Sequence, residues 1–290
     1  MEWISITKIS IRLKIYQMKK LLLYILPLAL LVGFTQCDKN ETPEETDNQP
    51  IENNQKLIEE GFAIGSGLKV ELYALTEDLY PGYNQVFFTV KDSISGEVVE
   101  PDEFIMHPMM EMMSGMMHSC PMETPTFNSE TKQYEGAITF VMSSMMGSWT
   151  VSVHLNGVGT ADLVVPVMDQ DEPQIYSFPS MIDSTTSYFV SLIQPEDSKV
   201  GENTFEVLIN KRASMMDWPA MEEMTVVIKP EMPDMGHGSP NNVDPVHTSD
   251  GHYNGVVNFT MTGWWRVHVT VINAQGDTLN NDRYFDITFQ

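Results

Sequence analysis

The sequence is poor in positive charge. Sixteen Lys and Arg stand against 40 Asp and Glu in 290 residues, a formal net charge of −24. This excludes a nucleic-acid binder, because phosphate recognition relies on clustered Lys and Arg. It also argues against docking on an anionic membrane surface, while cationic partners, metal ions included, stay open. Cysteine is nearly missing, with two in the whole chain, so no disulfide framework is available and the fold must rest on its hydrophobic core. No apolar run reaches the ~20 residues a membrane-spanning helix needs, and no long amphipathic helix pattern follows residue 61. Gly-x-Ser-x-Gly, His-Glu-x-x-His and phosphate-cradling glycine loops are all missing. We therefore expect a protein that is not an enzyme.

The N-terminus reads as a targeting segment. Lys19 and Lys20 precede an apolar run from Leu21 to Thr35, which ends at Cys37 and the polar, acidic stretch DKNETPEETDNQP. A basic head, a short core and a cysteine in that order fit a signal peptide over 1–36. Met18 suits the true initiator, which makes 1–17 a start-site extension. The order resembles a bacterial lipoprotein signal, which implies lipidation of Cys37. Gln36 departs from the small residue usual before that cysteine, and an ordinary exported protein with an incidental cysteine is the alternative. Without residues 1–36 the chain keeps 11 basic and 39 acidic residues. Residues 37–64 are too polar to bury much surface and read as a flexible tether. Their acidic run resembles the surface-export signals of Bacteroidetes lipoproteins. These features point to an outer membrane lipoprotein, on the periplasmic face or the cell surface.

The rest carries a long internal repeat. Gly82, Asn84, His118, Pro121, Tyr134, Gly136, Phe140 and Met142 recur 119 residues later as Gly201, Asn203, His237, Pro240, Tyr253, Gly255, Phe259 and Met261. Trp149 and Val151 recur at an offset of 116, as Trp265 and Val267, so the first copy has three extra residues around Ser143–Met146. A unit this long owns a core. The expected domains are 65–167 and 184–290, joined by a polar linker at 168–183. Short runs rich in β-branched and aromatic residues, such as QVFFTV, WTVSVHL and WRVHVTV, read as strands between Gly- and Pro-bearing turns. The expected fold is all-β: two tandem immunoglobulin-like β-sandwich domains, with a small barrel as the alternative. In TGWWRVHVTV, Trp265, Val267, Val269 and Val271 share the inward face, which leaves His268 outward. His154 is out of phase with Val151 and Val153 in the same way.

Methionine is abundant, with 22 residues. Each repeat carries a Met- and His-bearing segment, read as a loop. In the first it is MHPMMEMMSGMMHSCPM, residues 106–122, with eight Met, two His and one Cys; in the second it is KPEMPDMGHGSP, residues 229–240. Two registers fit. One overlays Met113-x-x-Met116-x-His118 on Met232-x-x-Met235-x-His237. The other overlays His107-Pro108 on Lys229-Pro230 and Met110-x-x-Met113 on Met232-x-x-Met235. Thioether sulfur is a soft, neutral ligand suited to Cu(I) and poor for Mg or Ca, and imidazole strengthens the set. In the second unit Met232, Met235 and His237 form the expected core of a copper site, closed by His247 or His252. In the first the candidates are His107, Met110, Met113, Met116 and His118. Zinc is disfavoured because it needs no Met and wants Cys and His at fixed spacings. Cys120 becomes Ser239 in the second unit, so a site common to both does not require it; a buried, inert thiol is the alternative. Against metal stands packing: Met fills cores and adaptable contact surfaces, and exposed Met scavenges oxidants.

The motif Met232-Pro233-x-Met235-x-His237, followed by Tyr253-x-Gly255 and Gly263-x-Trp265, resembles the YtkA-like/FixH-like β-sandwich domain. The first unit keeps Met113, Met116, His118, Tyr134, Gly136, Gly147 and Trp149, with Ser114 in place of the proline. The resemblance implies exported modules associated with copper handling and respiratory oxidase assembly. Apart from the N-terminal segment, the membrane helix of that family is absent. The leading expectation is an envelope lipoprotein that binds or buffers copper through its Met/His segments, anchored to the membrane by lipid. The alternative is a tethered interaction module that contacts another envelope protein without metal.

Overall fold

The structure, a computed structural model, describes residues 54–155, 157 and 159–290. The proposed signal peptide, Cys37 and the start of the tether lie outside the described residues. Alternation of apolar and polar residues dictates strands nearly throughout. In β17 (below) every second residue from Trp265 to Val271 is fully buried while its neighbours are half-exposed. This is the period-2 signature of a sheet with one dry face.

Among the described residues nine strands precede residue 166: β1 (Lys56–Ala63), β2 (Leu68–Ala74), β3 (Gly82–Asp92), β4 (Phe104–Met112), β5 (Met117–Ser119), β6 (Met122–Asn128), β7 (Gln133–Phe140), β8 (Gly147–Leu155) and β9 (Gly159–Val165). They form two antiparallel sheets, β1-β2-β3-β7-β6 and β5-β4-β8-β9. One core joins both sheets, with Leu72, Phe88, Ile138 and Phe140 from the first meeting Met106, Met110, Trp149 and Val151 from the second. Nine more strands follow: β10 (Ile175–Pro179), β11 (Ser187–Gln194), β12 (Gly201–Arg212), β13 (Thr225–Met232), β14 (His237–Gly238), β15 (Val243–His247), β16 (His252–Phe259), β17 (Gly263–Ile272) and β18 (Thr278–Phe289). Their sheets, β10-β11-β12-β16-β15 and β14-β13-β17-β18, repeat the order of the first pair. They too close over a single core, around Phe205, Val257, Trp265 and Val267. The fold is therefore all-β, built of sandwiches.

The residues at constant offset hold the same bonds in both sandwiches. Asn84 closes a loop by donating to the carbonyls of Tyr80 and Gly82 and accepting from the Tyr80 amide. Asn203 does the same with Lys199 and Gly201. Trp149 Nε1 donates to the Met142 carbonyl at 3.0 Å, and Trp265 Nε1 to that of Met261 at 2.9 Å. The glycine of each Tyr-x-Gly faces the backbone of an irregular neighbouring strand. A Cβ on Gly136 would come within 2.9 Å of the Glu123 carbonyl, and one on Gly255 within 2.5 Å of that of Val243.

Two sequence expectations need correction. The tether reading ran to residue 64, but β1 occupies 56–63 and pairs along β2. It is an exposed edge strand held by backbone bonds, so its polar composition concealed it. The linker reading covered 168–183, yet β10 lies within it, pairs with β11 and buries Phe178. The three extra residues near Ser143–Met146 are a 3₁₀ turn at Ser144–Met146 that leads into β8.

Candidate functional site

The Met/His segment is a β-hairpin and not a loop. β4 and β5 pair Met110 with His118, and β13 and β14 pair Met232 with His237. Proline within the run disguised the strand. Pro108 is tolerated because the ladder to β5 begins only at Met109, so its missing N–H breaks no bond on that side. The pairing also decides between the two registers: Met110 is the counterpart of Met232. Met113 and Met235 fall in the turns, 81% and 61% exposed, and Met116 is also exposed.

Directly opposed residues share a face of a sheet. Met110 also pairs with Trp149 on β8, so His118, Met110 and Trp149 form an inward row across three strands. The second sandwich repeats the row. Glu231 pairs with Arg266, which sets Met232 opposite Trp265, with His237 on its other side. Met110, Trp149 and Trp265 are fully buried, and Met232 nearly so. The His118 ring stands edge-on to Trp149 with centroids 5.3 Å apart, and His237 to Trp265 at 5.8 Å. Gly147 and Gly263 make the close approach possible, since a Cβ on Gly263 would sit 2.8 Å from Met232 Cε.

The orientation of each imidazole is fixed from behind. His118 Nδ1 lies 2.8 Å from the Ser119 carbonyl, and His237 Nδ1 lies 3.0 Å from that of Gly238. A carbonyl only accepts, so Nδ1 carries the proton and Nε2 presents its lone pair. In the first sandwich that Nε2 is buried without a hydrogen-bond partner. The donors that share each row are therefore imidazole nitrogen and thioether sulfur, beside an indole. Among the described residues no group of three or more His, Cys, Asp or Glu is placed to hold a metal ion. The set fits a soft monovalent cation and offers little to a hard one.

Other expected ligands go elsewhere. His252 does not close the second site: both its ring nitrogens are engaged, Nε2 by Glu123 at 2.8 Å and Nδ1 by Glu206 at 2.9 Å. Glu123 belongs to β6 of the first sandwich, so this is a clasp between sandwiches. The bonds to Glu123 and then Glu206, against partial burial, raise the imidazole to about 9. Tyr83 completes the clasp by donating to Glu123. His247 is also distant. Asp244 already accepts from the amide of Ile228, four residues down β13 from Met232, about 13 Å at 3.3 Å per residue, and His247 lies further along. His107 points outward, edge-on to His154 at 5.3 Å. It lines a 400 Å³ cleft with Met109, Cys120, Met122 and Met216. Cys120 is buried, and burial pushes its thiol well up, so it is an inert core group. His154 is outward and exposed, as its phase requires; His268 is outward but bonded to Glu231 at 2.9 Å.

The two tryptophans were legible as core and as motif, but not as walls of the site. The signal was available in their spacing from the histidines. The two rows differ in exposure: His118 is 4% exposed, while His237 is only half-buried. Part of the difference comes from the second sandwich, whose Met215 carbonyl accepts from the Ser119 amide at 2.9 Å.

Comparison with known proteins bears on the second sandwich. The model of the YtkA-like family matches residues 183–270, the stretch that holds Met232, His237 and Trp265. No curated protein matches the chain. Among solved structures, the adhesin InvE of Yersinia pseudotuberculosis aligns at 12% identity over 75% of this chain and 57% of its own, with a TM-score of 0.24. The chain thus spans little more than half of that adhesin, and a likeness this distant carries no argument. The second sandwich is thus similar to the YtkA-like family over residues 183–270.

Proposed function

We propose that the protein is a non-enzymatic envelope lipoprotein that binds or buffers Cu(I), with one site in each sandwich. His118 and Met110 are the ligands in the first, and His237 and Met232 in the second. One observation carries the reading: in both sandwiches a backbone carbonyl takes the Nδ1 proton of a histidine that stands edge-on to a tryptophan and pairs with a methionine, and in the first the buried Nε2 is left without a partner. Buried polar atoms are rarely left unpaired without a reason, and fixing a ligand imidazole from behind is how metal sites orient it. Methionine supplies softness, and the tryptophan edge limits water at the site. Lipidation at Cys37 would hold the molecule at the outer membrane, on its periplasmic or outer surface.

The test is a Cu(I) competition titration of the full chain in detergent, with tryptophan fluorescence followed in parallel. Met110→Leu/His118→Gln and Met232→Leu/His237→Gln should each lose one equivalent, together with the quenching of the adjacent indole. Met110→Leu alone keeps bulk and apolarity and guards against loss of fold. Absence of Cu(I) uptake by the wild-type chain, or retention of every equivalent by both variants, would overturn the reading.

A further inference from the structure

The first sandwich carries two insertions relative to the second at one shared end. Between the paired Met110 and His118 the hairpin holds seven residues, EMMSGMM; between Met232 and His237 it holds four, PDMG. Between Met142 and Trp149 the chain holds six residues, SSMMGS; between Met261 and Trp265 it holds three, TGW. Each insertion adds three residues, and each is rich in methionine.

The insertions are joined. The Met113 amide donates to the Met146 carbonyl at 3.0 Å, which ties the hairpin turn to the 3₁₀ turn at Ser144–Met146. The Met112 amide donates to the Met116 carbonyl at 2.9 Å and closes the turn itself. Five thioether side chains therefore crowd one tip of the sandwich and face solvent: Met113 at 81% exposure, Met145 at 68%, Met146, Met117 and Met116. Methionine is ordinarily a buried residue; Met112 packs at the margin of the core, but none of these five does. Within the two stretches themselves, 111–117 and 143–148, the exposed Glu111 is the one acidic residue. The chemistry on offer is neutral sulfur from flexible side chains, a soft-ligand surface without the charge a hard cation demands.

We infer that this tip is a further soft-cation site, formed by Met113, Met116, Met145 and Met146 and private to the first sandwich. Its ligand class is the monovalent d¹⁰ ion, Cu(I) or Ag(I). Its position over the hairpin that carries Met110 and His118 makes it the outer station for the buried site. The inference deepens the reading given above and rests on it for the inner station only, because the tip donors are distinct from the inner ones.

The experiment is an Ag(I) titration of the full chain in detergent, with methionine methyl groups labelled with ¹³C and indole fluorescence recorded on the same samples. The variant Met113→Leu/Met116→Leu/Met145→Leu/Met146→Leu keeps an apolar, exposed tip and removes only sulfur. The expected result is three equivalents for the wild type and two for the variant, with the tip methyl signals shifting in the wild type and indole quenching unchanged in the variant. An unchanged equivalence in the variant, with wild-type tip methyls that do not move, would overturn the inference and leave the tip an apolar contact surface. Tip shifts without any indole quenching would sustain this site while removing the inner ones, so the two failures are distinguishable.

Discussion

The clasp around His252 makes a quantitative prediction. The imidazole bridges Glu206 of its own sandwich and Glu123 of the other, and its pKa stands at about 9 against an ordinary 6.5. A folded-state pKa above the unfolded value means that the protonated form stabilises the native state. The contribution is complete below pH 6.5, declines from there, and is lost as pH passes through 9. A shift of this size corresponds to roughly 3 kcal/mol. Glu123 is more than a third exposed, so solvent screening reduces the useful figure to about 1–2 kcal/mol. The perturbation is His252→Gln, which stays uncharged at every pH. Urea denaturation of both proteins at pH 6, 7, 8, 9 and 10 gives the stability difference directly. Other groups titrate in both proteins and cancel. The difference should be about 1–2 kcal/mol at pH 6, shrink steadily above pH 7 and come close to zero at pH 10; 1 M salt should also diminish it. A difference that stays constant across the series, or grows with pH, would refute the charged clasp.

Three further outcomes are expected. Burial works to raise the Glu71 carboxyl, but Lys69, Lys91 and Tyr73 outweigh it and hold it at about 2. Glu71→Gln should therefore cost about 2–3 kcal/mol at pH 7, and denaturation at falling pH should find that difference fading between 4.5 and 2, since a depressed carboxylate stabilises only while ionised. Gly255→Ala should lower the melting temperature sharply, at ~2 kcal/mol or more, because its Cβ meets the Val243 carbonyl and not a yielding side chain; calorimetry that finds it neutral would contradict the close approach. Trp149→Ala should cost about 3–5 kcal/mol by cavity formation, whereas Met110→Leu should cost under ~1.5 kcal/mol. Chemical denaturation that ranks the two the other way would show the row across β4, β5 and β8 to be packed differently.

What the sequence discloses here follows from side-chain patterning. β17 announces itself, because four alternate apolar residues leave no other face to bury. β1 does not, because its pairing with β2 uses backbone groups that every sequence possesses, and its Glu59 and Glu60 resemble tether. The repeat was legible because its fixed residues sit where few substitutes fit: Asn84 and Asn203 close loops, Trp149 and Trp265 reach a carbonyl, and Gly136 and Gly255 lie against backbone. The candidate site was half legible. Met232 and His237 could be picked from their neighbourhood, five residues apart across a tight turn. The true counterpart, Met110, was one of two choices until strand pairing placed it opposite His118. His252 was misread for a different reason. Its partner Glu123 lies 129 residues away in the chain, and no local spacing records that contact.

The unequal burial of the two histidines bears on time as well as on affinity. His237 lies half open at the end of a four-residue turn, so anything small in solution can reach its Nε2 at the rate of diffusion and side-chain rotation. His118 sits under a longer hairpin whose strand end is stitched to Met215 of the neighbouring sandwich. Its Nε2 is buried, so access waits on a local opening, which is slower than rotamer exchange. Two chemically matched nitrogens in one molecule thus run on separate clocks, a fast one at the surface and a slow one within.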